Sequence, residues 1–465
     1  MKKILLLLSF FCLGIITSSA QYTILFNFND TNGREPFGSL TLNGNALYGT
    51  TYYGGTHGLG CVFKIDTNGN NYKDLFDFSG SNGELPNGPV TLFGGKLYGT
   101  TAIGGANGDG IIFSLDTNGS SCKDLFDFNG TTGKYPFGAL TISGNLMYGI
   151  TNFGGIHDSG CVFTIDTDGS GYKDLFDFNG TNGSIPDGVT LSGSKLYGTT
   201  NYGGANKMGV VFSIDTNGNG YKDLFDFNGI NGQYPGNSLI ISGSKMYGTS
   251  EYGGTHDSGT VFAIDTDGTG YKKLFDFNGT NGKEVGAGGG TLTLSGSVLY
   301  GVSWLGGTSH RGCLFSVDTN GIKFKKLLDF NNSNGAIPGG SLTLSGNVLF
   351  GVALLGGANN DGVIFKIDTN AIASVNEVKA NGGIINLFPN PNNGAFTLGV
   401  NSEELRANYS VEVYNELGQK VYSQLSTFNS PVSINLSSQP NGVYLYKVIT
   451  ENGGLVGEGK TVIQK

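Results

Sequence analysis

The residues best suited to recognise a ligand are those that differ between repeated copies of one segment. The tripeptide Tyr48-Gly49-Thr50 recurs in seven variants, and the residue three positions after its glycine changes from copy to copy. That position holds, in chain order, Tyr52, Ala102, Asn152, Asn201, Glu251, Trp304 and Leu354. Aromatic rings there suit stacking against sugar rings, whereas amides and carboxylates suit hydrogen bonds to hydroxyl groups. Positions that stay the same serve the repeated fold, so the variable positions are free to bind.

A second variable position lies between a glycine and a proline in the segment that joins successive copies. It holds Arg34-Glu35, Glu84-Leu85, Lys134-Tyr135, Ser184-Ile185 and Gln233-Tyr234. We expect both positions to share one surface, which predicts this ligand-binding set: Tyr52, Tyr135, Asn152, Asn201, Tyr234, Glu251 and Trp304. The alternative for Trp304, the single tryptophan of the chain, is that it packs as Leu354 does.

Catalytic chemistry has no comparable signal. No Ser-His-Asp order, phosphate-binding loop or carboxylate pair stands out. A glycosidase needs two carboxylates that face each other, and Glu84 and Glu251 are candidates, but nothing in the sequence selects a pair. We therefore predict no catalytic residue and no cofactor.

Metal binding is not expected at the histidines or at the aspartate turns. His57, His157 and His256 share one repeat position, where other copies carry asparagine, and both residue types are enriched where φ is positive. Loops of copies one, three and five cannot converge on one ion. The segment from Asp166 to Gly171 resembles a calcium loop only weakly, because it lacks the closing glutamate. We predict turns at both places and no metal.

Four cysteines follow the amino-terminal segment, and the repeat argues against disulfides between them. Cys61, Cys161 and Cys313 open the same strand in copies one, three and six, which should place them far beyond disulfide range. Cys122 takes the place that Tyr172 has in another copy. We predict four buried free thiols.

The repeat itself predicts an all-β fold. The repeat glycine recurs at intervals of 49 to 53 residues, and each copy reads as four short apolar runs joined by turns. Seven four-stranded sheets predict a seven-bladed β-propeller, with a stacked β-solenoid as the alternative. Residues 22–28 match a fourth strand and the seventh copy lacks one, so pairing of 22–28 with the strand around Phe365 would close the ring. The aspartate of the fourth strand, such as Asp77, is expected to protect an edge.

The Leu-Tyr-Gly-Thr-Thr, Gly-Gly and Val-Phe-x-Ile-Asp pattern of residues 22–370 resembles the bacterial GloVer (Gloeo/Verruco) tandem-repeat family. The resemblance implies an exported repeat protein without a settled activity. The Gly-Gly doublet also resembles kelch blades, but those use a tryptophan in each blade and Trp304 stands alone.

Charge and the amino terminus predict an exported protein. Residues 1–20 have the features of a signal peptide: Lys2 and Lys3 precede an apolar stretch too short to span a bilayer, and cleavage is expected between Ala20 and Gln21. The remaining chain has 25 Lys and Arg against 36 Asp and Glu, a net charge of −11. Such acidity argues against nucleic acid and against anionic lipid surfaces, and no later run predicts a transmembrane segment.

The expected domains are the signal peptide (1–20), the propeller (21–370), a linker (371–383) and a small β-sandwich (384–465). Four segments of the last domain resemble the type A sorting domain of the type IX secretion system: Leu387 to Gly394 with the following Phe396-Thr397-Leu398, Val411 to Val421, Asn441 to Tyr446, and Gly459 to Ile463. That resemblance implies interaction with the secretion machinery, export across the outer membrane, and then surface anchoring or release. The alternative is an ordinary carbohydrate-binding or Ig-like module.

These observations predict a secreted or surface-attached propeller that binds glycans or proteins through its variable surface. Two alternatives stay open: an extracellular polysaccharide hydrolase or lyase on the same scaffold, and a structural adhesin without a small ligand.

Overall fold

The computed structural model describes residues 22–236, 238–369, 385–388, 392–400, 409–415, 418–426, 431–450 and 455–465. The predicted signal peptide, its cleavage site at Ala20 and Gln21, and the linker 371–383 lie outside the described residues. The chain divides into two compact units, Met1–Ala371 and Ile372–Lys465.

The described part of the first unit consists of seven antiparallel sheets, numbered here in chain order. Sheet 1 contains β2 (Arg34–Asn43), β3 (Ala46–Tyr53), β4 (Cys61–Asp66) and β5 (Lys73–Asp77). Sheet 2 contains β6 (Thr91–Phe93), β7 (Lys96–Thr101), β8 (Ile111–Asp116) and β9 (Lys123–Asp127). Sheet 3 contains β10 (Lys134–Ser143), β11 (Leu146–Phe153), β12 (Cys161–Asp166) and β13 (Lys173–Asp177). Sheet 4 contains β14 (Ser184–Ser192), β15 (Lys195–Tyr202), β16 (Val210–Asp215) and β17 (Lys222–Asp226).

The remaining three sheets vary this plan. Sheet 5 contains β18 (Ile240–Ser242), β19 (Lys245–Ser250), β20 (Thr260–Asp265) and β21 (Lys272–Asp276). Sheet 6 contains β24 (Val298–Leu305), β25 (Cys313–Asp318) and β26 (Lys325–Asp329), and its first strand is interrupted into β22 (Lys283–Val285) and β23 (Thr293–Ser295). Sheet 7 contains β27 (Ala336–Ser345), β28 (Val348–Leu355), β29 (Val363–Asp368) and β1 (Tyr22–Asn27). A short 3-10 turn, Asp30–Asn32, follows β1.

The predicted pairing of the two chain segments is confirmed. β1 runs antiparallel to β29, with Ile24 opposite Phe365, and so supplies the fourth strand of sheet 7. Sheet 7 also contacts sheet 1, because the Thr343 hydroxyl donates to the Leu40 carbonyl. An equivalent hydrogen bond joins sheets 2 and 3, where the Thr91 hydroxyl donates to the Leu140 carbonyl at 2.7 Å. The four-stranded antiparallel repeat expected from the sequence is therefore present, and the last sheet packs on the first.

The repeat glycine is required by close packing. A Cβ added to Gly49 would lie 2.5 Å from the Phe63 ring, and one added to Gly149 would lie 2.5 Å from the Phe163 ring. Both rings are fully buried. Each sheet repeats this contact between its second and third strands, so no side chain larger than hydrogen fits there.

Aromatic rings also join successive sheets. Phe26 stacks on Tyr72 with ring centroids 4.1 Å apart, and Phe176 stacks on Tyr221 at 4.2 Å. Cys122 occupies the equivalent place in sheet 2, where it packs, as Phe76 does, against a buried cluster formed by sheets 1 and 2. The repeated Tyr and Phe pattern is thus the apolar contact between one sheet and the next.

The aspartate of the outermost strand holds a loop, a role that sequence reasoning missed. The Asp77 carboxylate accepts hydrogen bonds from the Thr56 N–H and hydroxyl, each at 2.8 Å. Asn27 of β1 accepts the equivalent N–H bond, from Ala358 at 2.8 Å, in sheet 7. The Gly-Gly doublet before each of these donors brings its backbone close to the carboxylate, because a Cβ on Gly55 would lie 2.2 Å from Asp77 Oδ1.

The described part of the second unit is also entirely β. One sheet has the order β30 (Ile385–Phe388), β31 (Ala395–Val400) and β34 (Val432–Asn435). The other has the order β33 (Lys420–Ser426), β32 (Tyr409–Tyr414), β35 (Gly442–Thr450) and β36 (Leu455–Ile463). Phe396 and Ile434 of the first sheet share a buried cluster with Val411 and Val448 of the second. Among the described residues of the chain, none forms a helix long and apolar enough to cross a bilayer.

Candidate functional site

The two kinds of long loop in the first unit lie together. These are the loops between the second and third strands of each sheet and the loops that join successive sheets, and we call them the loop rim. The Leu85 N–H of a joining loop donates to the Leu59 carbonyl of a second-to-third loop at 3.0 Å. The short turns contact one another instead, as in the bond from the Thr67 N–H to the Asn45 carbonyl at 2.8 Å. Both variable positions therefore fall on the loop rim, as the sequence predicts.

One residue of each joining loop has a left-handed backbone. The seven residues, with φ between 52° and 56°, are Glu35, Leu85, Tyr135, Ile185, Tyr234, Glu284 and Ile337. Such φ values are unusual for large side chains, particularly for β-branched isoleucine. Bonds from this residue to the loop of the preceding sheet explain the conformation, for example from the Tyr234 N–H to the Met208 carbonyl at 3.0 Å. The side chain at this position is thereby held in a fixed direction on the loop rim.

The structure brings Tyr52 and Tyr135 into one aromatic group. Tyr52 is half-buried and packs on Phe37, with ring centroids 5.7 Å apart. Phe37 of sheet 1 in turn contacts Phe137 of sheet 3 at 6.3 Å, although these sheets are not neighbours in the chain. Burial first, and then the neighbouring phenols of Tyr53 and Tyr135, raise the pKa of Tyr52. Tyr135 is 43% exposed and its ring meets that of Phe153 at 5.8 Å.

The structure brings Tyr234 and Glu251 into a second group, together with two tyrosines that the sequence analysis did not select. Tyr234 lies between Tyr202 and Tyr252, with ring centroids 4.5 Å and 5.8 Å apart. Tyr202 is 42% exposed and borders a cleft of about 640 Å³. The sequence does contain a signal for these two tyrosines. The residue four positions after the repeat glycine is aromatic in four copies, as Tyr53, Phe153, Tyr202 and Tyr252.

Carboxylates surround the second group. Asp187 Oδ2 and Glu251 Oε1 lie 3.2 Å and 3.6 Å from the point where a Cβ on Gly236 would stand, so the two oxygens are within about 7 Å of each other. Burial first, then the charges of Asp187 and Glu284, raise the pKa of Glu251 to about 7. Burial, the charges of Glu284 and Glu251, and a hydrogen bond with Glu284 raise the pKa of Tyr252 to about 12. This is an environment in which a carboxylic acid keeps its proton near neutral pH.

The other predicted ligand residues stand apart from these groups or have local roles. The Asn152 amide donates to the Pro186 carbonyl at 2.7 Å, so it joins sheet 3 to the next loop. Asn201 Oδ1 is buried without a donor among the described residues. Trp304 is half-buried and lies against Gly288, where a Cβ would come within 2.4 Å of its Nε1. Leu354, which occupies the same repeat position, is 8% exposed. Trp304 is therefore less deeply buried than the leucine with which the sequence analysis compared it.

The predicted conformation of the histidine position is wrong. Among the described residues, positive φ occurs one residue later, at Gly58, Asp158 and Asp257, and not at His57, His157 or His256. Asn107, which occupies the histidine position in sheet 2, donates from its amide to the Phe128 carbonyl at 2.9 Å. The left-handed turn of this loop therefore lies at the residue that follows the histidine position.

No metal site is formed within the described part of the chain: no three His, Cys, Asp or Glu side chains are grouped to hold an ion. The turn that resembles a calcium loop is held internally, because Asp168 Oδ1 accepts from the Ser170 N–H at 2.9 Å and from its hydroxyl at 2.7 Å.

The four cysteines are free thiols, and three of them are buried as predicted. Cys122 is only half-buried, because its small side chain leaves part of the space that a tyrosine ring fills in other sheets. Burial raises the pKa of Cys161 to about 12, so this thiol stays protonated at neutral pH.

Two family models match the chain. The Gloeobacter/Verrucomicrobia repeat matches residues 14–193 and 189–387, and the secretion system C-terminal sorting domain matches residues 386–464. The protein therefore belongs to the Gloeobacter/Verrucomicrobia repeat family and carries a carboxy-terminal sorting domain. This domain directs export by the type IX secretion system to the cell surface or the extracellular space. No functionally curated relative matches the chain.

Several solved structures have a similar fold at low sequence identity. A puromycin-hydrolyzing peptidase from Mycobacterium tuberculosis has 12% identity and a TM-score of 0.50, covering 83% of this chain and 62% of that one. A puromycin hydrolase has 11% identity, a TM-score of 0.50 and the same coverage. The polysaccharide lyase Uly1 has 10% identity and a TM-score of 0.43, covering 74% of this chain and 91% of that one. The chain spans less than two thirds of the two hydrolases, and the likeness concerns the fold alone.

Proposed function

We propose that the first unit is a seven-bladed β-propeller that binds extracellular glycans through its loop rim after export by the type IX system. The propeller is supported by seven similar antiparallel sheets, by the pairing of β1 with β29 inside sheet 7, and by the contact of sheet 7 with sheet 1. The sorting domain supports an extracellular site of action.

The observation that carries the binding proposal is the concentration of exposed aromatic side chains on the loop rim. Tyr135, Phe153 and Tyr202 are 43%, 38% and 42% exposed, and all three belong to its loops or to strand ends that enter them. Ligand sites combine such rings with a few polar groups, and sugars present both an apolar face and hydroxyls. Asn201 and Glu251 supply polar groups on the same rim.

Affinity electrophoresis of the mature protein through gels that contain neutral, acidic or amino polysaccharides tests this proposal. We expect retardation by at least one class and loss of that retardation when Tyr202 and Tyr135 are both changed to alanine. The exposed Phe93 lies on the opposite side, at a short turn, so Phe93→Ala is the matched control. If no polysaccharide retards the protein, glycan binding is wrong and a protein ligand or an adhesive role takes its place.

A second candidate, a glycoside hydrolase, is favoured by the Asp187 and Glu251 pair. Their oxygens lie about 7 Å apart or less, an upper bound that admits the roughly 5 to 5.5 Å between the two carboxyl groups of retaining glycosidases. A Glu251 pKa of about 7 suits a general acid, which leaves Asp187 as the partner that would act as base or nucleophile.

Release of reducing ends from a polysaccharide panel tests this candidate. Glu251→Gln and Asp187→Asn are each expected to lower the rate at least 100-fold, whereas Glu84→Gln, a rim glutamate outside this pair, leaves the rate unchanged. Equal product release by the wild type and Glu251→Gln excludes this pair.

A further inference from the structure

We infer that the cleft of sheet 4 is a subsite for a neutral polysaccharide chain, with a sugar ring stacked on Tyr202. The cleft has a volume of about 640 Å³ and lies between the joining-loop segment 179–184 and the loop that begins at Tyr202 and ends at Lys207. This inference rests on the proposed glycan binding and adds the location and the ligand class.

The aromatic wall of the cleft is rigid and partly open to solvent. Tyr202 is 42% exposed, so a face of its ring is free to receive a ligand. The Tyr234 ring packs against it, with ring centroids 4.5 Å apart and ring planes inclined by 45°. The backbone of Tyr234 is fixed in the left-handed region and bonded to the Met208 carbonyl at 3.0 Å. A rigid platform loses little conformational entropy when a ligand binds.

This arrangement exists at one boundary between sheets. At each boundary, the residue four positions after the repeat glycine can be paired with the left-handed residue of the next sheet. The seven pairs are Tyr53 with Leu85, Ile103 with Tyr135, Phe153 with Ile185, Tyr202 with Tyr234, Tyr252 with Glu284, Leu305 with Ile337, and Leu355 with Glu35. The pair at the junction of sheets 4 and 5 is the one with two aromatic rings. A feature that the fold needed would recur in every sheet, so this one is free to serve a ligand.

The polar wall fits hydroxyl groups. Asn179, Thr181, Ser184 and Lys207 line the cleft together with the tyrosine. Lys207 is also peculiar to this sheet, because the equivalent residues are Gly58, Gly108, Asp158, Asp257, His310 and Asn360. Amide, hydroxyl and ammonium groups beside an aromatic ring match the alternating polar and apolar faces of a hexose.

Charge selects a neutral chain over an acidic one. Glu251 lies close enough to Tyr202, and Glu284 close enough to Tyr252, to raise the pKa of these phenols in addition to the effect of burial. Among the residues that line the cleft, Lys207 is the one with a charged side chain. Outside residues 1–20 the protein carries a net charge of −11, so a polysaccharide rich in uronate or sulfate would be repelled by the protein as a whole.

Affinity for soluble neutral and acidic polysaccharides, measured by gel retardation and calorimetry with the full mature protein, tests the inference. Tyr202→Ala is expected to weaken binding of the neutral ligand at least tenfold, and Tyr202→Phe, which keeps the ring, to weaken it less than threefold. Tyr53→Ala is the matched control, because Tyr53 occupies the same repeat position in sheet 1. Lys207→Glu is expected to weaken the residual binding of acidic chains further. Melting temperatures of all variants establish that each is folded.

Three results would overturn the inference, and they differ in what else they remove. Loss of binding in Tyr53→Ala but not in Tyr202→Ala moves the site elsewhere and leaves the proposed glycan binding intact. Tighter binding of acidic than of neutral chains refutes the ligand class alone. Failure of the wild type to bind any polysaccharide removes the proposed function and this subsite together.

Discussion

Sheets 1 to 4 each carry two aspartates three residues apart on the outermost strand. Burial and the charge of the second aspartate raise the pKa of the first one in each pair. In sheet 3, burial first, and then the charge of Asp177 and a hydrogen bond with it, raise the pKa of Asp174 to about 6. Asp174 Oδ1 is buried without a donor among the described residues. Asp177 already accepts the Ile156 N–H at 2.9 Å to hold its loop. We therefore expect ionised Asp174 to destabilise the fold at neutral pH.

Sheets 5 and 6 show the favourable alternative. Lys273 and Lys326 replace the first aspartate, and their ammonium groups lie 2.6 Å and 2.8 Å from the carboxylates of Asp276 and Asp329. The change Asp174→Lys should reproduce this pair. A pKa raised by about two units corresponds to about 3 kcal/mol, which solvent screening of this half-buried group reduces to about 1.5 kcal/mol. The new ion pair adds about 0.5 kcal/mol.

The expected gain of about 2 kcal/mol corresponds to a melting temperature about 3 °C higher, since a unit of ~350 residues has an unfolding entropy of ~0.7 kcal/mol/K. Calorimetry of both proteins between pH 4 and 8 measures it. The pKa of folded Asp174 exceeds that of the unfolded chain, so the wild type loses stability as pH rises from about 4 to about 6. The gain in the variant should be small at pH 4 and complete above about pH 7.

The control has the same change in charge at another aspartate. Hydrogen bonds from the Ser170 hydroxyl and N–H lower the pKa of Asp168, so Asp168→Lys should give no gain. Equal gains in Asp168→Lys and Asp174→Lys would mean that net charge alone is responsible. A gain that does not change with pH, or a lower melting temperature for Asp174→Lys at pH 7.5, would refute the role assigned to the aspartate pair.

Three further changes test the packing of the first unit. Gly149→Ala places a methyl group 2.5 Å from the Phe163 ring, so it should lower the free energy of unfolding by about 1–3 kcal/mol in denaturant titrations, and an unchanged free energy would contradict the close packing. Removal of residues 22–28 leaves β29 with an unpaired edge, so light scattering should detect association of the shortened chain but not of the intact one. A thiol reagent should label Cys122 within minutes and the buried Cys61, Cys161 and Cys313 only in denaturant; rapid labelling of all four would contradict their burial.

Much of the fold is local enough to be predicted from the sequence. Cys61, Cys161 and Cys313 were expected to open the same strand of three copies, and β4, β12 and β25 begin at those residues. The first strands of sheets 1 and 3 also include the segment before the apolar run, such as Lys134 to Phe137, because that segment pairs with the end of the second strand. The φ angles of the loops were not predictable from residue type: the left-handed positions include Ile185 and Ile337, which a bond to the preceding sheet holds there.

The sequence by itself determined the number of repeats, their four strands, the phase of the two ends and the export domain, because these depend on periodicity and on contacts between residues close in the chain. Only the tertiary structure decided which variable residues meet. Tyr202 and Tyr234 come from successive sheets, and Asp187 approaches Glu251 across Gly236. Their contacts depend on how each sheet is rotated against the next and on one left-handed residue in each joining loop. No pattern within a single copy contains that information.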